Sequence, residues 1–348
     1  MASISVHNAL SHSHSHSHLK MSILEKLLKK YPDASWDFKK LSGNPNLTER
    51  ILDEHLKKGW DWYSLSMNPN ITFEYIKKHP KYPWQWFAVS QNPNVTIKDI
   101  ETTPNIAWDW KIGLSRNPNV TMEYIVAHPE RSWDWKWGVS HNPNLTMEFV
   151  EKNLEKPWNW KVLSSHPNMT IDFVKKQLTQ DWDWYNITKN PNITMEDIEE
   201  NHECSWDMWD ITSNPNLTME FVEKHKYTQG LDPEFISLSS CITMEYIEKN
   251  RDQLEWIWHL LSANSNIKIE DIEAHPEYPW DLEFVSVNPN LTMEFIDKHA
   301  SEMDFGMISE NKFTYERSRT TKLGSFMLLE KERTFHKVLN MFVVKKYM

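Results

Sequence analysis

Apolar and polar residues alternate along this chain in one short grammar, clearest between Thr72 and Asn94. In Thr72-Phe73-Glu74-Tyr75-Ile76-Lys77-Lys78-His79 the apolar positions fall one, three and four places after the threonine, which predicts a helix with a single buried face. Thr is an N-cap residue, Glu74 suits the positive end of the helix dipole, and Lys77, Lys78 and His79 suit the negative end. Pro80 then ends the helix. Thr121-Met122-Glu123-Tyr124-Ile125 and Thr292-Met293-Glu294-Phe295-Ile296 repeat the pattern. A second helix of about seven or eight residues is predicted from Pro83-Trp84-Gln85-Trp86 to Val89-Ser90. The residue before its first Trp is Ser at 35, 132 and 205 and Pro at 83, 157 and 279, two residue types that share the start of a helix. An acid follows that first position at Asp37, Asp61, Asp109, Asp134, Asp183, Asp207, Asp232, Asp281 and Asp304, again as a helix N-terminus favours. Asn92-Pro93-Asn94 supplies the turn into the next helix.

That turn recurs. Asn-Pro-Asn-apolar-Thr begins at Asn44, Asn68, Asn92, Asn117, Asn142, Asn190, Asn214 and Asn288, with worn copies at His166, Ser239, Asn264 and Asn311, in steps of about 24 and occasionally 25 residues. A fixed period in this range means stacked supersecondary units, each buried only against its neighbours. The fold class read from the sequence is all-α: an α-solenoid of about twelve short helix-turn-helix repeats of 24–25 residues, spanning residues 21–311. The Trp-Asp pairs suggest a propeller, but propeller repeats of that kind are about 40–45 residues long and need glycine turns. A leucine-rich repeat has a suitable length, yet it needs an apolar residue five places before the Asn, where Lys39, Lys161, Glu234, His259 and Glu283 stand.

Composition adds limits. Seven Gly and nineteen Trp in 348 residues argue against turn-dense β structure and for a chain with enough apolar area to fold. The formal net charge of −11 disfavours phosphate backbones and anionic membranes, except at residues 312–348, where nine Lys or Arg (among them Lys312, Arg317, Arg319, Lys322, Lys345 and Lys346) face three Glu. This segment reads first as a basic capping helix or tail on the end of the solenoid, and second as a membrane or nucleic-acid contact. Residues 1–20 contain Ser-His four times from Ser11 to His18 and read as a disordered leader or tag, the alternative being chelation of a divalent ion. Cys204 and Cys241, the two cysteines, are too few for a disulfide framework or a Cys-based zinc site. No apolar run reaches transmembrane length and no signal-peptide core precedes the array, so a cytoplasmic location is expected.

Candidate chemistry is sparse. If the two Trp of each unit share a helix, residues two apart point about 200° apart, so one Trp faces either the next repeat or solvent, the latter giving a ladder of exposed aromatics. His55, His79, His128, His225, His275 and His299 close the first helices and read as favourable charges there rather than as metal ligands. Nine Asn-x-Thr matches (Asn46, Asn70, Asn94, Asn119, Asn144, Asn168, Asn192, Asn216 and Asn290) read as turn and cap chemistry rather than glycosylation sites. No phosphate loop, nucleophile elbow or His-Glu-x-x-His motif occurs, and the carboxylates recur once per repeat where a catalytic pair would be a local departure. The expectation is a non-enzyme with no catalytic residues, metal or cofactor, and with binding residues unknown. The pattern fails once, between Lys226 and Thr243, where Gly230, Leu231 and Pro233 replace the Trp pair and Ser239-Ser240-Cys241 replaces the turn, marking a weak joint or hinge.

The recurring Trp-Asp-Trp, Leu-Ser-x-Asn-Pro-Asn-Ile-Thr and Met-Glu-Phe-Val-Glu-Lys strings resemble the uncharacterised tandem-repeat proteins encoded by giant DNA viruses of amoebae and other protists, over roughly residues 21–311. The resemblance implies a viral origin, with a place in the host cytoplasm or in the virion, and carries no catalytic residues. The function expected first is a scaffold binding a protein partner on its concave surface. A structural component packing end to end, and nucleic-acid or membrane contact through the basic tail, are the alternatives.

Overall fold

The computed structural model describes residues 21–208, 210–225 and 233–314. Twenty-one α-helices and three 3-10 helices form twelve pairs, with no strand among the described residues. Unit 1 pairs Ile23–Lys30 with Phe38–Leu41, unit 2 pairs Glu49–Glu54 with Trp62–Met67, and unit 12 pairs Met293–His299 with Phe305–Ile308. The all-α repeat architecture is therefore the observed one. Its core is three parallel rows of aliphatic side chains, for example Ile76, Ile125 and Val150 from the first helices, Leu65, Val89 and Leu114 from the second, and Ile71, Val95 and Val120 from the turns, none more than 1% exposed.

The first helices are capped as their sequence dictates. Thr72, Thr121, Thr146 and Thr292 accept from the backbone N–H three residues on. At unit 11 Lys268 replaces the threonine, and Asp271 reaches back to its backbone N–H instead.

The second helices are shorter than the sequence suggested. They begin at the second aromatic and not before the first: Trp62–Met67, Trp86–Val89 and Trp184–Thr188. Ser35, Ser132, Ser205 and the prolines at the same place are not their caps. Asp37, Asp61, Asp183, Asp281 and Asp304 are, each accepting from backbone N–H groups two or three residues ahead. The first Trp thus lies in extended chain, which frees its indole to reach back. Its Nε1–H donates to the carbonyl five residues earlier, at the C-terminus of the first helix, in Trp36, Trp60, Trp84, Trp108, Trp133, Trp158, Trp182, Trp206 and Trp280. Trp256 stands six places after its helix C-cap, Asn250, and its Nε1 is buried without a partner among the described residues. The second Trp stacks edge-on against the first Trp of the following unit, as in Trp62–Trp84 at 5.2 Å, Trp110–Trp133 at 5.5 Å and Trp184–Trp206 at 5.3 Å. The two rings of a unit do not share a helix, so their separation follows from the extended segment and not from helical angles.

The turns do more than reverse the chain. The first asparagine is buried; its Oδ1 accepts from the N–H two residues on, while its Nδ2 donates to carbonyls of the preceding unit. Asn68 bonds in this way to Ser42 O at 2.9 Å and Asn44 O at 3.1 Å, and accepts from Asn70 N–H. The second asparagine forms a parallel ladder, as in Asn94 to Pro69 O and Asn119 to Pro93 O. These carboxamides are glued to the neighbouring unit, which is why the Asn-x-Thr matches are structural. His166 fits the same rung, with Nε2 on Asn142 O at 3.0 Å and Nδ1 accepting from Asn168 N–H at 3.2 Å. Between units, the serine after the buried aliphatic of the second helix commonly accepts from the backbone N–H of the residue after the next unit's first Trp, as in Asp61 N–H to Ser42 Oγ at 2.9 Å, whereas at unit 5 Asp134 N–H donates to Lys111 O at 3.0 Å.

Unit 12 is joined to unit 1 by this same set of bonds. Asp37 N–H donates to Ser309 Oγ at 3.0 Å; Asn44 Nδ2 donates to Ser309 O and Asn311 O at 2.8 and 3.0 Å; Asn46 Nδ2 donates to Lys312 O at 3.0 Å. Trp36 stacks edge-on with Phe305 at 5.1 Å, and Lys30 and Tyr31 both hold Asp297. The array is a closed ring and not an open solenoid. Closure spreads one full turn over twelve units, about 30° each. The basic segment read as a capping helix or tail lies, beyond Thr314, outside the described residues, as does the leader 1–20. At Phe313, fully buried with φ 48°, the backbone takes a left-handed conformation that aromatic residues avoid.

Successive second helices approach one another closely along the backbone, whereas successive first helices do not. The tighter row lies on the inside of a curve, so the second helices form the inner wall. At an ordinary interhelical spacing of about 8–10 Å and a helix half-width of about 5–6 Å, twelve units leave a bore on the order of 20 Å across.

Candidate functional site

The inner wall carries the exposed aromatics that the recurring Trp pairs do not. The position after the second aromatic lies on the inner row, and round the ring it reads Lys39, Tyr63, Phe87, Lys111, Lys136, Lys161 and Tyr185 in units 1 to 7, all exposed except the half-buried Phe87. Tyr63 and Phe87 lie face to face at 6.3 Å, and Lys189 sits 3.2 Å above the Tyr185 ring. In units 10 and 11 the same position holds His259 and Glu283. One arc of the wall is basic and aromatic, and the remainder is acidic at Asp210, Glu283 and Glu310.

Units 4 and 5 depart from the pattern in the same way. Each has one extra residue between the second Trp and the turn, with Gly113 or Gly138 taking up the insertion. The second helix is cut to a 3-10 turn, Leu114–Arg116 or Val139–His141, entered through a wide turn in which Leu114 N–H bonds to Asp109 O and Val139 N–H to Asp134 O, five residues back in each case, at 2.7 Å. Such i to i+5 turns are rare and cluster at functional positions. Glycine is required by contact: a Cβ on Gly113 would sit 2.7 Å from Ser90 Cβ, and one on Gly138 2.5 Å from Ser115 Cβ. Lys111, Lys136 and Trp137 are exposed in these turns, and Ile112 is half-buried.

Trp137 is 51% exposed, the most of any Trp described. Its place is nonetheless fixed. Asp134 accepts its backbone N–H at 2.6 Å, and Arg116 of unit 4 donates to its carbonyl from Nε at 2.8 Å and from a terminal nitrogen at 2.6 Å. Lys136 Nζ lies 5.6 Å from the Trp137 ring centroid. Burial pulls the Arg116 guanidinium below its ordinary value, offset by Tyr63 and Asp134. That Arg116 feels Tyr63 from two units away fits the concave side of the ring. Burial, then Arg116, hold the His141 ring below its ordinary value. The cluster places the Arg116 guanidinium, the Lys136 ammonium and the exposed Trp137 ring side by side.

The residues singled out for chemistry in the sequence lie elsewhere. His79, His128, His225 and His299 stack on the aromatic ring four places earlier, as Tyr124–His128 does at 4.0 Å, and His55, His79, His128 and His275 give their carbonyls to the Trp indoles. Among the described residues no three His, Cys, Asp or Glu side chains gather to hold an ion. Cys204 and Cys241 are free thiols, pushed up by burial. Two furrows, lined by Thr48 and Thr72 and by Thr243 and Asn290, run between neighbouring units. Both repeat the ordinary inter-unit groove. No described helix is long and apolar enough to cross a membrane. The bulge at units 4 and 5 had a sequence signal in the 25-residue steps from Asn92 to Asn117 and Asn142, with Gly before Leu-Ser or Val-Ser. Compared with protein-family models, curated proteins and solved structures, the chain matches none.

Proposed function

We propose that the protein is a non-enzymatic ring scaffold that holds an extended segment of a partner protein in its bore. The observation that carries this reading is Trp137, an extra Trp outside the recurring pairs, half exposed where of those pairs Trp86 alone among the described residues is also exposed, with its backbone held by Asp134 and Arg116. Trp and Arg dominate binding hot spots because they bury large area around a fixed polar contact. End-to-end polymerisation, the structural alternative, needs unpaired unit faces, and here the end units are paired with each other. Contact through the basic tail concerns residues outside the described ones. A viral origin and a place in the host cytoplasm rest on the sequence resemblance and belong to the same proposal. The test is photo-crosslinking from a benzophenone amino acid at Tyr185, in the bore, against one at Val126, on an outer helix. Partner adducts from position 185 and not from 126 support a bore that binds; adducts from 126 alone overturn it.

A further inference from the structure

We infer that the occupant of the bore is an extended acidic peptide, with carboxylates at about every third residue and an apolar side chain that seats on Trp137. This deepens the scaffold reading and rests on it. The argument is one of register. Lys111, Lys136 and Lys161 occupy the same position in three consecutive units, so their helical or turn segments stand one unit apart, about 8–10 Å between axes, and their long flexible stems set the spacing of the charges. A peptide extended in the polyproline II conformation has three residues per turn and advances about 3.1 Å per residue, so every third residue returns to the same relation with the wall. Aromatic positions bracket the three lysines, Tyr63 and Phe87 on one side and Tyr185 on the other. Trp137 projects beside Lys136, where a peptide side chain between two carboxylates would meet its ring.

The acids on the same wall decide between polyanions. Asp109, Asp134 and Asp183 stand at the starts of the inner turns and helices, interleaved with the lysines, and their carboxylates are committed to backbone N–H groups. Lys161 spends part of its charge on Asp181 at 3.5 Å, Lys189 on Asp210 at 2.8 Å and Lys40 on Glu310 at 3.0 Å, while Lys111 and Lys136 are in no ion pair among the described residues. A single nucleic-acid strand carries a phosphate on every residue, with no neutral residue between charges, and would lay some of them over these aspartates. A peptide with spaced carboxylates passes neutral residues over the aspartates and sets its charges on the lysines. The net charge of −11 opposes a dense polyanion further.

The probe is a fluorescein-labelled extended peptide with Glu at every third position and one central Phe, titrated by anisotropy into the full chain. Controls are a peptide of the same composition with its Glu contiguous, a peptide with Lys in place of Glu, and an oligothymidylate of matching length. Binding should favour the spaced Glu peptide, weaken about tenfold or more in Trp137→Ala, and reverse towards the Lys peptide in Lys111→Glu with Lys136→Glu. Because these side chains are exposed, unchanged thermal unfolding of each variant confirms that the ring is intact. Tighter binding of the oligothymidylate, equal binding of contiguous and spaced Glu, or indifference to Trp137→Ala overturns the inference. If the Lys peptide binds the unaltered ring and crosslinks at position 185, the scaffold reading stands and the acidic class falls; if no probe enters the bore, both fall.

Discussion

The joint between units 1 and 2 and the seam between units 12 and 1 use one set of bonds. Asn68 donates to Ser42 O and Asn44 O; Asn44 donates to Ser309 O and Asn311 O. Asp61 N–H meets Ser42 Oγ, and Asp37 N–H meets Ser309 Oγ. Phe38 stands edge-on to Trp60 at 5.0 Å, and Phe305 to Trp36 at 5.1 Å. Lys189 of unit 7 pairs with Asp210 of unit 8, and Glu310 of unit 12 pairs with Lys40 of unit 1. What differs is the chain between the partners, about one repeat in the first case and nearly the whole array in the second. Closure therefore needs no special latch. It needs end units whose faces are ordinary, and a rotation per unit that sums to a full turn. The difference matters when a joint is lost: an interior joint is still tethered by the chain, and the seam is held by noncovalent contacts alone.

The largest effect should come from cutting the seam. Asn44→Ala with Asn46→Ala removes its rungs and leaves buried carbonyls without donors, at about 1–3 kcal/mol each. The ring should open, raising the radius of gyration in small-angle scattering. Asn142→Ala with Asn144→Ala removes the equivalent rungs inside the array, and should lower the melting temperature without that expansion. Next come the caps. Thr121→Ala and Thr146→Ala each remove an acceptor for a backbone N–H at 3.2 Å and should cost about 1 kcal/mol apiece in chemical denaturation.

Unit 9 sharpens the comparison from the other side. Its second helix, Pro233–Leu238, forms, and Ser237 keeps the forward bonds, accepting from Ile257 N–H at 3.1 Å and from Asn264 Nδ2 at 3.0 Å. Its backward rung is reduced to Ser240 Oγ at 3.5 Å from Asn214 O. Residues 226–232, where the Trp pair is interrupted, lie outside the described residues. Ser239→Asn should restore the rung and slow amide exchange across 236–247, by about 1 kcal/mol of local stability; no change in exchange would mean that this joint is not the weak one.

The smallest effect is one of pH. His166 is a buried rung, and burial holds its ring below the ordinary value of 6.5 despite the hydrogen bond to Asn142. The unfolded chain takes up that proton first, so stability present above pH 6.5 is lost as pH falls from 6.5 towards the depressed value. His166→Asn should flatten this part of the profile in thermal melts between neutral and mildly acidic buffer.

Much of this was legible because each unit's local rules agree. Thr at the cap, an acid in the first turn and Asn-Pro-Asn at the turn all point to the same two helices. The start of the second helix was misread because Ser and Pro before Trp84 and its equivalents are also good starters, and the competition was won by Asp with its side chain on the N–H groups ahead. The asparagine ladders were hidden behind a residue that explains itself as a turn former. Closure was not legible, since a rotation of about 30° per unit is a sum of small packing angles that no single repeat writes in its residues. The bulge at units 4 and 5 was visible only as a 25-residue step.

The ring itself is tested most directly by spin labels on either side of the seam. With Cys204 and Cys241 replaced by Ser, labels at Lys40→Cys and Glu310→Cys are compared with labels at the equivalent interior pair, Lys189→Cys and Asp210→Cys. The closed ring predicts one narrow distance distribution for the seam pair, matching the interior pair. A seam distribution that is long and broad while the interior one stays short would mean that the array is an open solenoid.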